Sequence, residues 1–482
     1  MFDLLRKLNT ATPVGFAPQF PYNTSLVLYQ NLRFAEECMR RVVITGLGAI
    51  SPHGIGTSPF WNALLEGKSS ITALTRFDPS AFKSHVAGAI PPYKTTEFVP
   101  KSYRKATKIM ARDIELAVIA ADFAVRDARL ITRGIAEGTP EADLVAKGWT
   151  RTDPTRIGCN IGAGLISIDL NELTVAMADS RTPDNNLNLP AWGGGGMDKI
   201  TPLWLLKYLP NMLSCHVSII HDTQGPSNTI TCGHASAGLA VAEATRTIQR
   251  GQADVAIAGG CESKVHPIGL MRWSLLNRLN TTGNDNPATA NRPYDASAAG
   301  AVFAEGGAVF IIEEYEHAKK RGATIYAEIA GLGATANVTD SVVEPDPTGE
   351  SPGVAIRKAL KDAGITAKDI GLVVPPAYSI PAWDRSDAAA MKAALDGALP
   401  GIPVLPARAG IGDCGAGAQA LDLAAATLAL HQQTIPPATN VEHPIEGLLI
   451  SRQKLTRPFS HALVFASALG GQNSAVVLKK AN

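Results

Sequence analysis

Cysteine, histidine and aspartate side chains with catalytic potential occur at residues 232, 234 and 413. Cys232 and His234 lie two residues apart, where a predicted strand gives way to a small-residue helix over residues 235–250. Side chains at i and i+2 of an extended run point to the same side. With Asp413, this thiol and imidazole are the components of a Cys-His-Asp nucleophilic site. The simpler alternative makes Cys232 a buried small side chain and His234 a polar residue with its hydrogen bonds satisfied.

The elements that would position these residues alternate between strand and helix along the chain, which is typical of layered α/β proteins. Apolar, β-branched runs predict strands at residues 41–47, 156–163, 253–259, 302–313, 326–332 and 370–374. In each half, a predicted strand is followed by a tight turn and then by a helix rich in small residues. These two helices are predicted over 235–250 and 416–430. The halves agree in the order of their elements rather than in sequence.

Composition excludes several classes of function. The chain has 482 residues, 45% of them hydrophobic and 18% charged, as expected for a globular protein with a large core. A net charge of +1 gives no electrostatic argument for a nucleic-acid partner. No apolar run reaches the ~18–20 residues of a membrane span. The six cysteines are scattered and read as reduced, which favours a cytoplasmic protein.

We expect neither a metal nor a cofactor. No Cys-x-x-Cys pair occurs. The four glycines at 193–196 are not followed by the Gly-Lys-Ser/Thr of a phosphate-binding loop. Residues 1–38 carry no strong periodic pattern and no signal-peptide core. They are either an upstream extension before a start at Met39 or an arm that packs on a partner.

Several ordered motifs carry a resemblance to a known family. They are VVITGLG at 42–48, GPS at 225–227, DVAIAGG at 254–260, RPYD at 292–295, EEYEHA at 313–318 and IPPATN at 435–440. From about residue 41 to residue 479 the chain resembles the β-ketoacyl-acyl-carrier-protein synthases, most closely the elongating synthases of type II systems. The resemblance implies a thiolase-like α/β fold, a duplicated βαβαβαβ arrangement with two central sheets layered with helices.

The resemblance also implies a domain organisation and partners. We predict an N-terminal extension over 1–40, an N-terminal ketosynthase half over 41–300 and a C-terminal half over 301–482. The implied partners are an acyl carrier protein and a second ketosynthase subunit, either an intact synthase or another copy of this chain.

The family's catalytic positions are changed in this sequence. Counted from Gly-Pro-Ser, the catalytic cysteine of the family corresponds to His234. Cysteine serves there because its thiolate is both a good nucleophile and a good leaving group. The family's two assisting histidines correspond to Pro376 and Asp413. Proline offers no side-chain donor or base, and an aspartate opposes a developing oxyanion.

Substrate-binding positions are implied by the same comparison. Arg408 stands where the family has a lysine before its second histidine. Leu469, Gly470 and Gly471 lie in the glycine bend that carries the family's aromatic gate, with leucine replacing the aromatic residue. Together with Ser379, they are the predicted substrate-binding residues. Asp413 would pair with either Arg408 or His234.

We therefore expect a β-ketoacyl synthase homologue of fatty-acid or polyketide-type lipid synthesis without standard condensing activity. It resembles the chain-length-factor subunits, which lack the cysteine and pair with an active synthase. The alternatives are an acyltransferase that uses His234, Asp413 and possibly Cys232, and a homodimer that binds acyl groups without reacting. A malonyl decarboxylase is a poorer fit, because family members of that type keep both histidines.

Overall fold

The computed structural model describes residues 39–337, 341 and 343–481. The predicted extension, apart from Met39 and Arg40, lies outside the described residues. The body described below begins at Arg40. No helix of this body is long and apolar enough to cross a membrane.

Sixteen strands occur in the described part of the chain. They are β1 (Val42–Ser51), β2 (Gly54–Ile55), β3 (Thr72–Ala73), β4 (Val86–Ala87), β5 (Leu130–Ile131), β6 (Thr150–Arg151), β7 (Ile157–Gly162), β8 (Ser227–Ile230), β9 (Val255–Ser263), β10 (Glu305–Glu314), β11 (Ala327–Ala336), β12 (Ile370–Val374), β13 (Thr434–Ile435), β14 (Leu455–Thr456), β15 (His461–Ser467) and β16 (Gln472–Lys479).

Thirteen α-helical segments accompany these strands in the same described residues. They are α1 (Thr57–Leu65), α2 (Arg112–Asp127), α3 (Arg133–Ala136), α4 (Glu141–Ala146), α5 (Leu170–Ala178), α6 (Leu189–Ala191), α7 (Met212–His221), α8 (Ser236–Gln249), α9 (Pro267–Leu275), α10 (Tyr315–Lys320), α11 (Glu350–Asp362), α12 (Pro381–Leu395) and α13 (Ala418–Gln432).

One ten-stranded mixed sheet runs through the molecule in the order β12-β15-β16-β11-β1-β10-β9-β7-β8, with β2 beside β1. The two predicted sheets are the two parts of this path. They join where β1 meets β11 through only two residue pairs, Val43 with Glu328 and Ile44 with Ala327. The sheet ends at β8, whose residues are exposed or half-buried. A division of the body at residue 300 stays a prediction.

Helices α8 and α13 lie at the centre of the fold. Helix α8 packs against β7 and β9, helix α13 packs against β10 and β15, and the two helices contact each other. Residues 418–430 of α13 are all buried, so its small side chains serve close packing. Gly238 allows the approach of the two helices, because a Cβ there would lie 2.2 Å from Oε1 of Gln419.

Candidate functional site

The turn before α8 positions His234. Strand β8 ends at Ile230, and a 3₁₀ turn over Gly233–Ala235 leads into the helix. Gly233 has φ +55°, a left-handed conformation that favours glycine. This geometry carries His234 into the interior, where it is only 4% exposed.

A matching turn in the second half positions Asp413. The 3₁₀ turn Gly415–Gly417 precedes α13, and Gly415 has φ +53°, close to the value at Gly233. The backbone of Asp413 is fixed by two hydrogen bonds, donating to Val302 O at 2.8 Å and accepting from Ala304 N at 2.9 Å. The structural duplication therefore brings residues 179 positions apart to one site.

His234 and Asp413 form a buried hydrogen-bonded pair. His234 Nε2 donates to Asp413 Oδ1 over 2.9 Å, and the backbone N–H of Gly415 donates to the same oxygen at 2.9 Å. Because an ionised carboxylate only accepts, the Nε2 atom carries the proton. Among the described residues, neither His234 Nδ1 nor Asp413 Oδ2 has a hydrogen-bond partner.

The charge of Asp413 is stabilised by its surroundings. Burial alone raises the pKa of this carboxyl, but His234, Lys264 and Arg408 outweigh burial and hold the pKa well below its ordinary value. Asp413 is thus an ionised, buried hydrogen-bond acceptor. It opposes an oxyanion rather than stabilising one.

Aromatic rings close the site. The ring of Tyr378 lies edge-on to His234 with centroids 4.8 Å apart, and the ring of Trp273 lies 6.3 Å away in a similar orientation. The hydroxyl of Tyr378 donates to the carbonyl of Ser467, which fixes the ring. His234 is enclosed by rigid side chains.

Glu262 and Lys264 form an ion pair near Asp413, and the sequence did not indicate these residues as part of the site. Lys264 Nζ lies 3.2 Å from Glu262 Oε1. Burial lowers the pKa of Lys264, but Glu262 and Asp413 raise it above its ordinary value overall. Glu262 Oε2 also accepts from the N–H of Ala416 at 2.6 Å. The only available signal was their place near the end of β9, two and four residues after the Gly-Gly pair.

Cys232 lies beside this site without the features of an activated nucleophile. Its side chain is half-buried, and burial raises the pKa of its thiol, which disfavours the thiolate. Its backbone N–H donates to Ser236 Oγ at 2.8 Å. Within the described chain, Cys232 and His234 share no hydrogen bond. The catalytic roles assigned to Cys232, His234 and Asp413 stay predictions.

Arg408 and Ser379 are placed in the core. Arg408, 1% exposed, donates through Nε to both carboxylate oxygens of Asp422 at 3.0 Å. Of the two expected pairings, Asp413 therefore takes the one with His234. Ser379 is fully buried, and its Oγ accepts from the N–H of Arg292 at 2.9 Å. Neither side chain faces open space, so substrate binding by either would require rearrangement.

Pro376 and the glycine bend border the same region. The carbonyl of Pro376 accepts from the Tyr294 hydroxyl at 2.6 Å, which leaves this position a structural role. Leu469 is half-buried against the aromatic cluster that holds Trp273 and Tyr378. Gly470 and Gly471 have φ of +88° and +87°, so the bend keeps its glycine requirement. No group of three or more histidine, cysteine, aspartate or glutamate side chains is placed to hold a metal ion in the described ranges.

Known proteins resemble this chain over nearly its whole length. Residues 39–318 match the model of the β-ketoacyl synthase N-terminal domain, and residues 326–442 match that of the C-terminal domain. The chain is 31% identical over 444 residues to 3-oxoacyl-[acyl-carrier-protein] synthase 2 of Coxiella burnetii, covering 92% of this chain and 99% of the relative. It is 30% identical over 449 residues to a putative polyketide β-ketoacyl synthase 1 of Streptomyces halstedii, covering 91% and 98%.

Solved structures agree in fold. A type II polyketide-synthase acyl-carrier protein in complex with its ketosynthase matches with a TM-score of 0.76 and 25% identity, covering 92% of this chain and 100% of that chain. The ishigamide ketosynthase/chain length factor matches with a TM-score of 0.75 and 22% identity over the same shares, and supports the fold alone.

A 3₁₀ turn precedes each of the central helices α8 and α13. This fold is that of a thiolase-like protein of the condensing-enzyme type. The chain belongs to the β-ketoacyl synthase family.

Proposed function

We propose that this chain is a non-condensing ketosynthase subunit, similar in role to a chain-length factor, that pairs with an active synthase. The observation that carries the proposal is the buried His234–Asp413 pair at the nucleophile position. A condensing enzyme needs a thiolate that accepts the acyl group and donors that stabilise the oxyanion. In this chain, an imidazole stands in place of the thiolate, and a carboxylate stands in place of a donor to the oxyanion.

The edge of the sheet supports pairing with another subunit. Strand β8 ends the sheet and leaves an unpaired edge, a typical site for strand pairing between chains. Thirteen of the sixteen large exposed hydrophobic side chains found in the described residues lie between residues 165 and 219 or between 271 and 276. An interface formed by these two segments would remove their apolar side chains from water.

An acyl carrier protein is the second proposed partner. Four cations project from one 3₁₀ segment of nine residues and are all exposed: Lys101, Arg104, Lys105 and Lys108. None of them forms an ion pair with another described side chain. A cationic face of this kind steers a partner of opposite charge.

Elongation by the purified chain tests the proposal directly. The chain alone, given malonyl and acyl groups on acyl carrier protein, should form no β-ketoacyl product, and an intact synthase should form it under the same conditions. Co-expression with synthase genes from the same genome should give a mixed dimer by mass in solution. Elongation by the isolated chain, lost in His234→Ala, would overturn the non-condensing role. A monomer under every pairing at micromolar concentration would overturn the assembly.

One observation favours a second candidate function, acyl transfer. A histidine hydrogen-bonded to a carboxylate is the arrangement of an oriented general base, and His234 Nδ1 is left without a partner among the described groups. Turnover of an acyl thioester that falls at least tenfold in Asp413→Asn would favour this alternative. The Cys232→Ala variant, tested alongside, separates a relocated thiol nucleophile from general-base chemistry.

A further inference from the structure

A small cavity with cationic side chains in its wall lies where the end of strand β9 meets helix α9. It has a volume of about 60 Å³, and its wall includes Leu165, Ser167, Glu262, Lys264, Arg272 and Trp273. We call this space the Lys264 cavity. A water molecule needs roughly 10–15 Å³ of such space, so the cavity has room for a molecule of about four non-hydrogen atoms.

The charged groups in this wall are two cations and one carboxylate. Both oxygens of Glu262 are occupied, Oε1 by Lys264 Nζ at 3.2 Å and Oε2 by the N–H of Ala416 at 2.6 Å. The guanidinium of Arg272, an exposed residue, forms no ion pair with any described side chain. The wall therefore carries one positive charge in excess.

Hydrogen-bond donors in the wall remain without acceptors. An ammonium has three N–H groups, and Lys264 uses one of them, for Glu262, within the described chain. Burial lowers the pKa of Lys264, but Glu262 and Asp413 raise it overall, so the ammonium stays charged. No hydrogen bond of the Ser167 hydroxyl or of the Arg272 guanidinium is found among the described residues. A ligand with acceptor oxygens would satisfy these donors.

The excess charge of the wall is not cancelled by Asp413. This carboxylate lies behind Lys264 rather than in the wall, and His234 and Arg408 stabilise its charge as well. A ligand of one negative charge would therefore leave the wall neutral.

The rest of the wall is apolar. Lys264 Nζ lies 5.7 Å from the ring centroids of both Trp273 and Phe303. Leu165 is 65% exposed and borders the solvent side of the cavity. A methyl group in this space would contact the two rings while a charged group beside it meets the cations.

We propose that the Lys264 cavity binds a small free carboxylate such as acetate, with its oxygens on Lys264, Arg272 and Ser167 and its methyl group against Trp273. A carboxylate matches the single excess charge and the planar fork of a guanidinium. Inorganic phosphate carries up to two charges and has no apolar end for the rings. The inference goes beyond the proposed function, since neither elongation nor pairing with a synthase enters it.

Saturation-transfer NMR titrations of the full chain with sodium acetate and with acetamide test this site. Acetate should bind with a Kd of about 1–10 mM. Acetamide has the shape of acetate without its charge, so it should bind at least about tenfold more weakly. Arg272→Gln should weaken acetate binding about tenfold, the value of one hydrogen bond between charged groups.

Arg452→Gln is the matched control. Arg452 is also exposed and has no ion-pair partner among the described residues, but it lies outside the cavity, so acetate affinity should not change. The double variant Glu262→Gln/Lys264→Gln removes a cation together with its carboxylate partner and should also weaken acetate binding at least about tenfold. Circular dichroism and thermal melting show whether the double variant folds; Arg272 is on the surface, so its substitution keeps the test decisive in either case.

Three results would each overturn the inference: equal binding of acetate and acetamide, no acetate binding up to about 100 mM, or an affinity unchanged in Arg272→Gln. Complete displacement of acetate by an equal concentration of chloride at constant ionic strength would also overturn it, because the site would then be one for any small anion. Elongation by the wild-type chain would overturn the proposed function alone, since it leaves the affinity for acetate untouched.

Discussion

At the scale of single residues, His234 and Asp413 are joined by a buried hydrogen bond. Removing His234 takes one hydrogen bond from a buried carboxylate whose charge Lys264 and Arg408 still stabilise, and losing a partner of a charged buried group costs about 3 kcal/mol. We expect His234→Ala to lower the free energy of unfolding by roughly 3 kcal/mol, because Asp413 keeps only the Gly415 N–H as a donor. Asp413→Asn should cost about 1 kcal/mol, because its amide oxygen still accepts from His234. Urea unfolding of the two variants checks the order; an equal or reversed cost would contradict it.

Restoring the thiol alone should not restore condensation. His234→Cys places a cysteine in the turn before α8, but Pro376 and Asp413 remain where the resemblance places the family's two assisting histidines. The expected result is no β-ketoacyl product from the variant above the wild-type background. The triple variant His234→Cys/Pro376→His/Asp413→His is the informative comparison, provided that its melting curve shows a folded protein. Elongation by His234→Cys alone would show that the other two positions do not limit the chemistry.

At the scale of elements, strand β8 ends the sheet and is the edge on which the proposed assembly would depend. The backbone N–H of Thr229 donates to Asn228 Oδ1 at 2.8 Å, so the pairing with β7 does not require it. Proline is tolerated on edge strands and removes this N–H. We expect Thr229→Pro to weaken dimerisation at least about tenfold while the subunit stays folded.

Thr229→Val is the control for this substitution. It removes the hydroxyl that lies 2.6 Å from Ser214 Oγ but keeps the backbone N–H. Sedimentation equilibrium of both variants separates the two effects. Weakening of the dimer by valine to the same extent as by proline would locate the effect in the side chain rather than in strand pairing.

Much of the element pattern followed from the sequence. The strand predicted at 370–374 is β12 as observed, and the helix predicted over 235–250 is α8 within one residue at each end. Strand β12 is a short apolar run followed by two prolines, and α8 has apolar side chains at helical spacing. The short join between β1 and β11 was not predictable, because it depends on how two sheets meet at their edges rather than on local pattern.

The candidate site was predictable only in part, because its contacts also depend on how distant elements pack together rather than on local pattern. His234 and Asp413 were found through the family's motifs, and the structure brings them together. Arg408 was expected near substrate, yet it pairs with Asp422, fourteen residues away on α13, a contact that requires the helix to be placed first. Trp273 carried no signal of its own, because an aromatic residue at the end of an amphipathic helix usually packs in a core.

At the scale of the whole molecule, buried titratable groups give stability two opposing pH dependences. Burial lowers the pKa of His53 and His216 to about 4 and that of His221 to about 3. The unfolded chain binds protons below pH 6.5 that the folded chain does not, so these histidines reduce stability as the pH falls from 6.5. Burial raises the pKa of Asp113 to about 8 and that of Asp384 to about 7. These two carboxyls contribute fully to stability below the pKa of the unfolded chain, 3.8. That contribution is lost as the pH rises through their pKa values in the folded protein.

Between pH 4 and 6.5, the histidines make the stability rise with pH, whereas the carboxyls make it fall. Above pH 6.5, only the carboxyls still change the stability. We therefore expect the free energy of unfolding to fall by roughly 2 kcal/mol between pH 6.5 and 8, at about 1.4 kcal/mol per pH unit for each carboxyl still protonated.

Asp113→Asn has no proton to lose, so its stability relative to wild type should rise across this interval. Urea unfolding at pH 6.5, 7.25 and 8 checks the slope. His221→Asn is the control, because its effect belongs below pH 6.5 and should leave the slope above that pH unchanged. A wild-type curve that rises from pH 6.5 to 8, or an Asp113→Asn curve parallel to wild type, would show that Asp113 is already ionised in the folded protein.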